Sequence, residues 1–377
     1  MSEWKDVKLG EICFYGKERI GVASLTSATY ISTENMLPNR GGVGLASSIP
    51  DAGGVIAYKK NDVLVSNIRP YFKKIWRASH DGGCSADVLV FRNRENVDAK
   101  FLYYLLSANS FFDYSMATAK GTKMPRGDKN SLMEYGVKLP PLAEQRRIAE
   151  ILGSLDDKIE LNNKINKNLE EQAQALFKNW FVDFAPFGGN MPAGWKRGKL
   201  SNIAKFEKEK IEVSRLTEFS YYSTENMLPD KAGVCPASSL PNVSQTTRCY
   251  PGETIVSNIR PYFKKVYFCT EELAGCSTDV LCFKPRKASL AIYNYCSLCQ
   301  DDFFYYVLNG AKGTKMPRGD KSQMMKFAVC IPPEEVLQKF AAMVAPMLQK
   351  VDGNRTENRC LAVLRNALLP KLVNGTA

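Results

Sequence analysis

Apolar residues keep two different periods along this chain, and each period marks out a kind of element. Short runs such as Val55-Ile56-Ala57-Tyr58, Asp62-Val63-Leu64-Val65 and Asp87-Val88-Leu89-Val90-Phe91 are bounded by Gly, Pro and Asn, which predicts strands. Glu253-Thr254-Ile255-Val256 and Asp279-Val280-Leu281-Cys282-Phe283 have the same character further on. Residues 101–116, FLYYLLSANSFFDYSM, read as a helical piece with a counterpart near 292–308. Strands followed by helix, twice, predict two mixed α/β globules.

The period changes after Leu139-Pro140-Pro141 and again after Ile331-Pro332-Pro333, where paired prolines end an extended segment and open a long helix. Over 142–181 apolar residues recur at Ile148, Leu152, Leu155, Ile159, Ile165, Leu169, Ala173, Leu176 and Trp180, the stripe of a coiled coil. Asn162 and Asn166 interrupt it, as Asn354 and Asn358 interrupt the second helix. A buried asparagine costs stability but fixes register, so the two helices are expected to pair, with Leu152, Leu155, Ile159, Asn162 and Leu169 meeting Asn354, Asn358 and Leu361. Pro346 and Gly353 are expected to kink or break the second helix. At about 1.5 Å per residue, some 38 helical residues span roughly 57 Å, about one and a half turns of duplex DNA at about 34 Å per turn.

The two halves also share words. STENMLP occupies 32–38 and 223–229, SNIRPYFKK occupies 66–74 and 257–265, and KGTKMPRGDK occupies 120–129 and 312–321. The offset is 191 residues and becomes 192 after one inserted residue before Cys276, so the chain holds one domain twice. Each copy opens alike, with Trp4, Lys8-Leu9 and Ile12 answered by Trp195, Lys199-Leu200 and Ile203. A core position requires only an apolar residue of suitable size. Strict retention of Arg, Lys, Asn and Gly therefore points to a shared job.

Composition narrows that job. A hydrophobic content of 45% excludes a disordered chain, and a formal net charge of +12 implies a polyanionic partner. No apolar run approaches the roughly 18 to 20 residues that span a bilayer, and MSEWKDVKLG lacks the apolar stretch of a signal peptide, so a cytoplasmic protein is expected. Eleven cysteines do not form a disulfide framework in such a setting. Cys296-x-x-Cys299, with Cys269, Cys276 and Cys282 upstream, invites a zinc reading, but the first copy has Tyr104, Ser107, Ala78 and Val90 at the matching places and retains only Cys84. No metal site is expected. His80 is the single histidine, which removes histidine triads and HNH-type nuclease chemistry.

Catalytic signatures are absent too. The Pro-Pro pairs lack the Asp or Asn before them and the aromatic after them that an amino-methyltransferase needs, and Gly41-Gly42-Val43-Gly44 lacks the Lys-Ser/Thr of a phosphate loop. Glu207-x-Glu209 and Glu209-Lys210 are unmatched in the first copy and read as a solvated face. What recurs suits nucleic acid. The candidate contacts are Asn67, Arg69, Lys73, Lys74, Lys120, Thr122, Lys123, Arg126 and Lys129, with Asn258, Arg260, Lys264, Lys265, Lys312, Thr314, Lys315, Arg318 and Lys321. Arginine forks onto guanine edges or phosphate, and lysine places point charges on phosphate. Asn67, Arg69 and Pro70 also suit a turn inside the domain, and Pro70, Tyr71 and Phe72 are expected to serve the fold rather than a contact.

With LPPLAEQRRIAEILGSLDDKIELNNKINKNLEEQAQALFKNWF over 139–181 and GTKMPRGDK before it, the chain resembles the specificity subunits of Type I restriction-modification systems. The likeness runs the whole length, although Pro332-Pro333-Glu334-Glu335-Val336-Leu337-Gln338 departs from the family's pattern in the second helix. The resemblance implies an α+β fold of two target recognition domains, at 1–141 and 186–333, with a central helix at 142–185 and a C-terminal helix at 334–377 that pair as an antiparallel coiled coil with internal pseudo-twofold symmetry. It implies double-stranded DNA as ligand, each domain reading half of a split target, and docking of two modification subunits, with restriction subunits joining the complex. S-adenosylmethionine, ATP and magnesium would then belong to partner subunits and no cofactor to this chain. A self-contained methyltransferase or nuclease, and a scaffold that binds partners without reading DNA, remain open on sequence grounds.

Overall fold

The computed structural model describes residues 4–313 and 315–375, and the chain divides into two compact units, Met1–Glu160 with Glu357–Ala377, and Leu161–Thr356. In the first unit one antiparallel sheet has the strand order Cys13–Tyr15, Val88–Asn93, Val63–Ser66, Ile75–Arg77. A second sheet has the order Arg19–Gly21, Gly54–Tyr58, Gly82–Cys84, Tyr30–Ile31, the last pair being parallel. Strand Lys5–Lys8 pairs with Gly136–Leu139 and closes the unit's two ends on each other.

Strand period explains the layering. Val63, Val65, Leu89 and Phe91 point into a core shared with helices Ala99–Ser107 and Asn109–Ala117, whereas Leu64, Val88 and Val90 point into a second core with Ile31, Tyr58 and Cys84 of the other sheet. Strands buried on both faces carry unbroken apolar runs, which is how these runs read in the sequence. The second unit repeats the scheme, with Val256, Leu281 and Phe283 facing helices Ala291–Leu298 and Asp301–Asn309, and Ile255, Val280 and Cys282 facing the other sheet.

The helical piece expected over 101–116 is two helices. Ala108 takes an extended conformation (φ −62°, ψ 146°) between them, and Gln300 does the same in the second unit (φ −67°, ψ 142°). The bend lets Phe101, Leu102 and Leu105 from one helix and Phe111 and Phe112 from the next enter one core, which outweighs a few more helical hydrogen bonds.

The central helix spans Leu142–Phe181 and the C-terminal helix Glu334–Val373. The expected break at Pro346 or Gly353 does not occur. Leu337, Phe340, Val344 and Leu348 bury on one side of that segment, and this burial offsets a missing backbone donor and a flexible glycine. The two helices run antiparallel in each unit. In the first, Asp156 meets Arg365 at 2.6 Å and Lys158 meets Glu357 at 3.3 Å. In the second, Asn166 meets Asn354 at 2.8 Å, and the rings of Phe181 and Phe340 lie 4.9 Å apart. Asn162, Asn166 and Asn354 are buried in the seam, while Leu155, Ile159, Leu169, Asn358 and Leu361 are half-buried and Leu152 is fully buried.

Glu207 departs from the solvated face expected of its segment. Its side chain is only 6% exposed and its carboxylate accepts from Lys284 Nζ at 2.5 Å, because Lys284 leans over from the neighbouring strand Val280–Pro285. Residues 208–210 are exposed, as read from the sequence.

Candidate nucleic-acid interface

In the first unit the three repeated segments converge. The turn Pro70–Phe72 is flanked by Arg69 (φ 51°) and Lys73 (φ 49°), both in the left-handed region where a side chain costs about 1–2 kcal/mol per residue. The surroundings hold it there. Arg69 N donates to Pro125 O at 2.8 Å and Gly127 N to Asn67 O at 3.2 Å, which stitches the turn to the basic loop. Asn39 N donates to Phe72 O at 2.8 Å and Arg40 N to Lys73 O at 2.9 Å, which ties on the segment after STENMLP. Lys74 Nζ donates to Thr33 O at 2.7 Å, joining two of the repeated words directly.

The second unit builds the same node. Arg260 and Lys264 are left-handed (φ 50° and 49°), Arg260 N donates to Pro317 O at 2.8 Å, and Asp230 N donates to Phe263 O at 2.8 Å. Lys265 Nζ donates to Thr224 O at 2.6 Å. Burial pushes the ammonium groups of both Lys74 and Lys265 below the ordinary lysine range. These two lysines brace the fold.

The remaining candidates divide by what holds them. Asn67 and Asn258 are buried beneath the glycine of the basic loop, and a Cβ on Gly127 would come within 2.9 Å of Asn67 Oδ1 and Ser115 Oγ. Lys73 Nζ donates to Asn109 Oδ1 at 2.8 Å, and at the matching place Lys264 and Lys231 grip Asp301 at 3.1 and 2.7 Å. Lys120 pairs with Asp128 at 2.6 Å and Lys312 with Asp320 at 3.5 Å, although these lysines stay exposed. Arg126 lies 3.2 Å from Asp87, and Arg318 3.1 Å from Asp279. Among the described residues the side chains of Lys123, Lys129, Lys315 and Lys321 are exposed with no ion-pair partner. Thr122 is exposed, and Thr314 lies outside the described residues.

Among the described residues Arg69 and Arg260 have no ion-pair partner, and the Nε of each is buried without a hydrogen-bond partner while the residue as a whole is half-exposed. A left-handed arginine with an Nε that the fold leaves without a partner thus stands at the same place in both units.

Sequence reasoning missed two features of this node. Asn39-Arg40 and Asp230-Lys231 form left-handed straps (φ 53° to 64°), signalled only by the tolerance of Asn and Asp for that region. Pro70 is buried as expected, but Tyr71 and Phe72 are 47% and 38% exposed. Cys296 and Cys299 sit in the apolar core, where burial pushes the Cys299 thiol up to about 12, and among the described residues no three His, Cys, Asp or Glu side chains are placed to hold a metal. Among the same residues no helix is long and apolar enough to cross a membrane.

Known proteins resemble this chain in sequence and in fold. Residues 1–171 match the Type I restriction modification DNA specificity domain. The Type I restriction enzyme MjaIX specificity subunit of Methanocaldococcus jannaschii is 29% identical over 319 residues, covering 76% of this chain and 71% of that one. The Type I restriction enzyme HindI specificity subunit of Haemophilus influenzae is 25% identical over the whole of both chains. The crystal structure of a Type I restriction-modification system S subunit from M. genitalium shares the fold, with a TM-score of 0.59 at 17% identity over 98% of this chain and 96% of that one. With its duplicated basic node and paired helices, the chain is similar to the specificity subunits of Type I restriction-modification systems, whose DNA specificity domain its first 171 residues match.

Proposed function

We propose that each unit reads one half of a bipartite DNA target, and that the paired helices dock two modification subunits and set the distance between half-sites. The observation that carries this reading is the node built twice, in which Arg69 with Lys123 and Arg260 with Lys315 stand uncommitted beside a backbone of identical design. A shared node supplies phosphate contacts and register. Discrimination then falls to the stretches that differ, 39–60 and 230–251, each strapped to its node through Asn39 or Asp230. Two repeats in one chain also offer equivalent docking surfaces to two copies of one partner. In this reading S-adenosylmethionine, ATP and magnesium reside on modification and restriction subunits.

Duplex binding by the chain assembled with modification subunits tests the assignment. Affinity should fall steeply with salt, and Lys123→Ala with Lys315→Ala should lower the slope by about two. An unchanged slope contradicts the loop assignment. Adding one heptad to each helix should lengthen the unspecified gap in the target and leave both half-sites unchanged, and an unchanged gap refutes the spacing role.

A further inference from the structure

Two rings at the tip of each node reach solvent, with Lys74 Nζ 5.7 Å from the Phe72 ring and Lys265 Nζ 5.6 Å from the Phe263 ring. Tyr71 and Phe72 are 47% and 38% exposed, with ring centroids 4.6 Å apart, and Tyr262 and Phe263 are 46% and 36% exposed at 4.7 Å. Their backbone is pinned. Phe72 N donates to Arg69 O at 3.0 Å, Lys73 N to Pro70 O at 2.8 Å, and the strap residue Asn39 bonds to Phe72 O at 2.8 Å, so the tip is stiff. An apolar pair held rigidly in water marks a contact surface.

We infer that each pair is a wedge that enters the DNA duplex, unstacking a base step at the edge of each half-site. This inference rests on the proposal that the units read DNA. Charge complementarity names the occupant: the guanidinium of Arg69 adjoins the rings in sequence, and its backbone is bonded to Pro125, two residues from the unpaired Lys123. Cations flanking an apolar tip fit a duplex, where phosphates lie beside a stack of bases, and wedges of this kind kink DNA while the flanking charges hold the backbone. Because Tyr-Phe is the same in both units while the strapped segments differ, the wedge is independent of target sequence.

The test uses the chain assembled with modification subunits and duplexes carrying 2-aminopurine at successive positions of one half-site. The wild-type complex should brighten the probe at one step of each half. Tyr71→Ser with Phe72→Ser should abolish brightening in one half only, and should weaken cognate and scrambled duplexes by the same factor, about tenfold per ring, with the salt slope unchanged. Tyr71→Phe with Phe72→Tyr, which keeps both rings, should retain the signal. Unaltered brightening and affinity in the double Ser variant would overturn the wedge. So would loss of modification-subunit assembly without DNA, measured by light scattering, because the rings would then dock protein. A wild-type complex that binds cognate and scrambled duplexes alike would instead remove the reading on which the wedge rests.

Discussion

Asn354 donates a 2.8 Å hydrogen bond from Nδ2 to Oδ1 of Asn166 across the buried seam of the paired helices. Both amides are almost wholly shielded from water, so each depends on the other. Such a pair stabilises less than two leucines would but tolerates only one register, because sliding either helix leaves a buried amide unmatched.

Asn354→Leu alone is expected to destabilise the second unit by about 1–3 kcal/mol, since Asn166 loses its donor inside the seam. Adding Asn166→Leu should recover most of that loss while loosening register. Urea midpoints for the single and double variants form the cycle that measures the coupling. Additive losses would mean that the bond contributes nothing.

Lys74 and Lys123 lie in different repeated words and should fail differently. Lys74→Met removes the bond to Thr33 O and is expected to cost about 1 kcal/mol of stability with little change in the salt dependence of DNA binding. Lys123→Met should leave the unfolding midpoint in place and lower the salt slope by about one. Thermal unfolding and binding isotherms at several salt concentrations separate the two, and a reversed pattern would exchange their roles.

Acid should weaken the second unit through Glu207. Burial pushes its carboxyl up, but Lys284 Nζ at 2.5 Å and the amides of Lys208 and Glu209 at 2.7 and 3.0 Å outweigh it and bring the group from 4.5 down to about 2. A depressed carboxylate contributes stability that is complete above 4.5 and is lost as the pH falls towards 2. Glu253 beside it is shifted upward, chiefly by burial, and so contributes with the opposite sign. Glu207→Gln should therefore lower stability by about 1 kcal/mol at pH 7 and by much less near pH 3. A difference independent of pH would contradict the pairing with Lys284.

Much of this was legible beforehand, and the exceptions share a cause. The duplication, the strands at Val63–Ser66 and Val88–Asn93 and the helix Leu142–Phe181 follow from period and repeated words, which are local. The bend at Ala108 does not, because it is decided by which core Phe111 and Phe112 can reach. The continuity of the C-terminal helix through Pro346 likewise reflects burial of Val344 and Leu348 on either side. In the node, repetition identified the cations but not their partners. Lys74 and Lys123 look alike in sequence, and only Thr33, distant along the chain, tells them apart. Glu207 read as solvated because Lys284 lies 77 residues away.

The central claim is that each unit reads half of a split target. Exchanging residues 1–138 for the corresponding part of another specificity subunit, assembling the chain with its modification subunits and mapping the methylated DNA sites tests it most directly. One half of the modified sequence should change while the other half and the gap between them stay fixed. An unchanged modified sequence, or a change in both halves, would contradict the account.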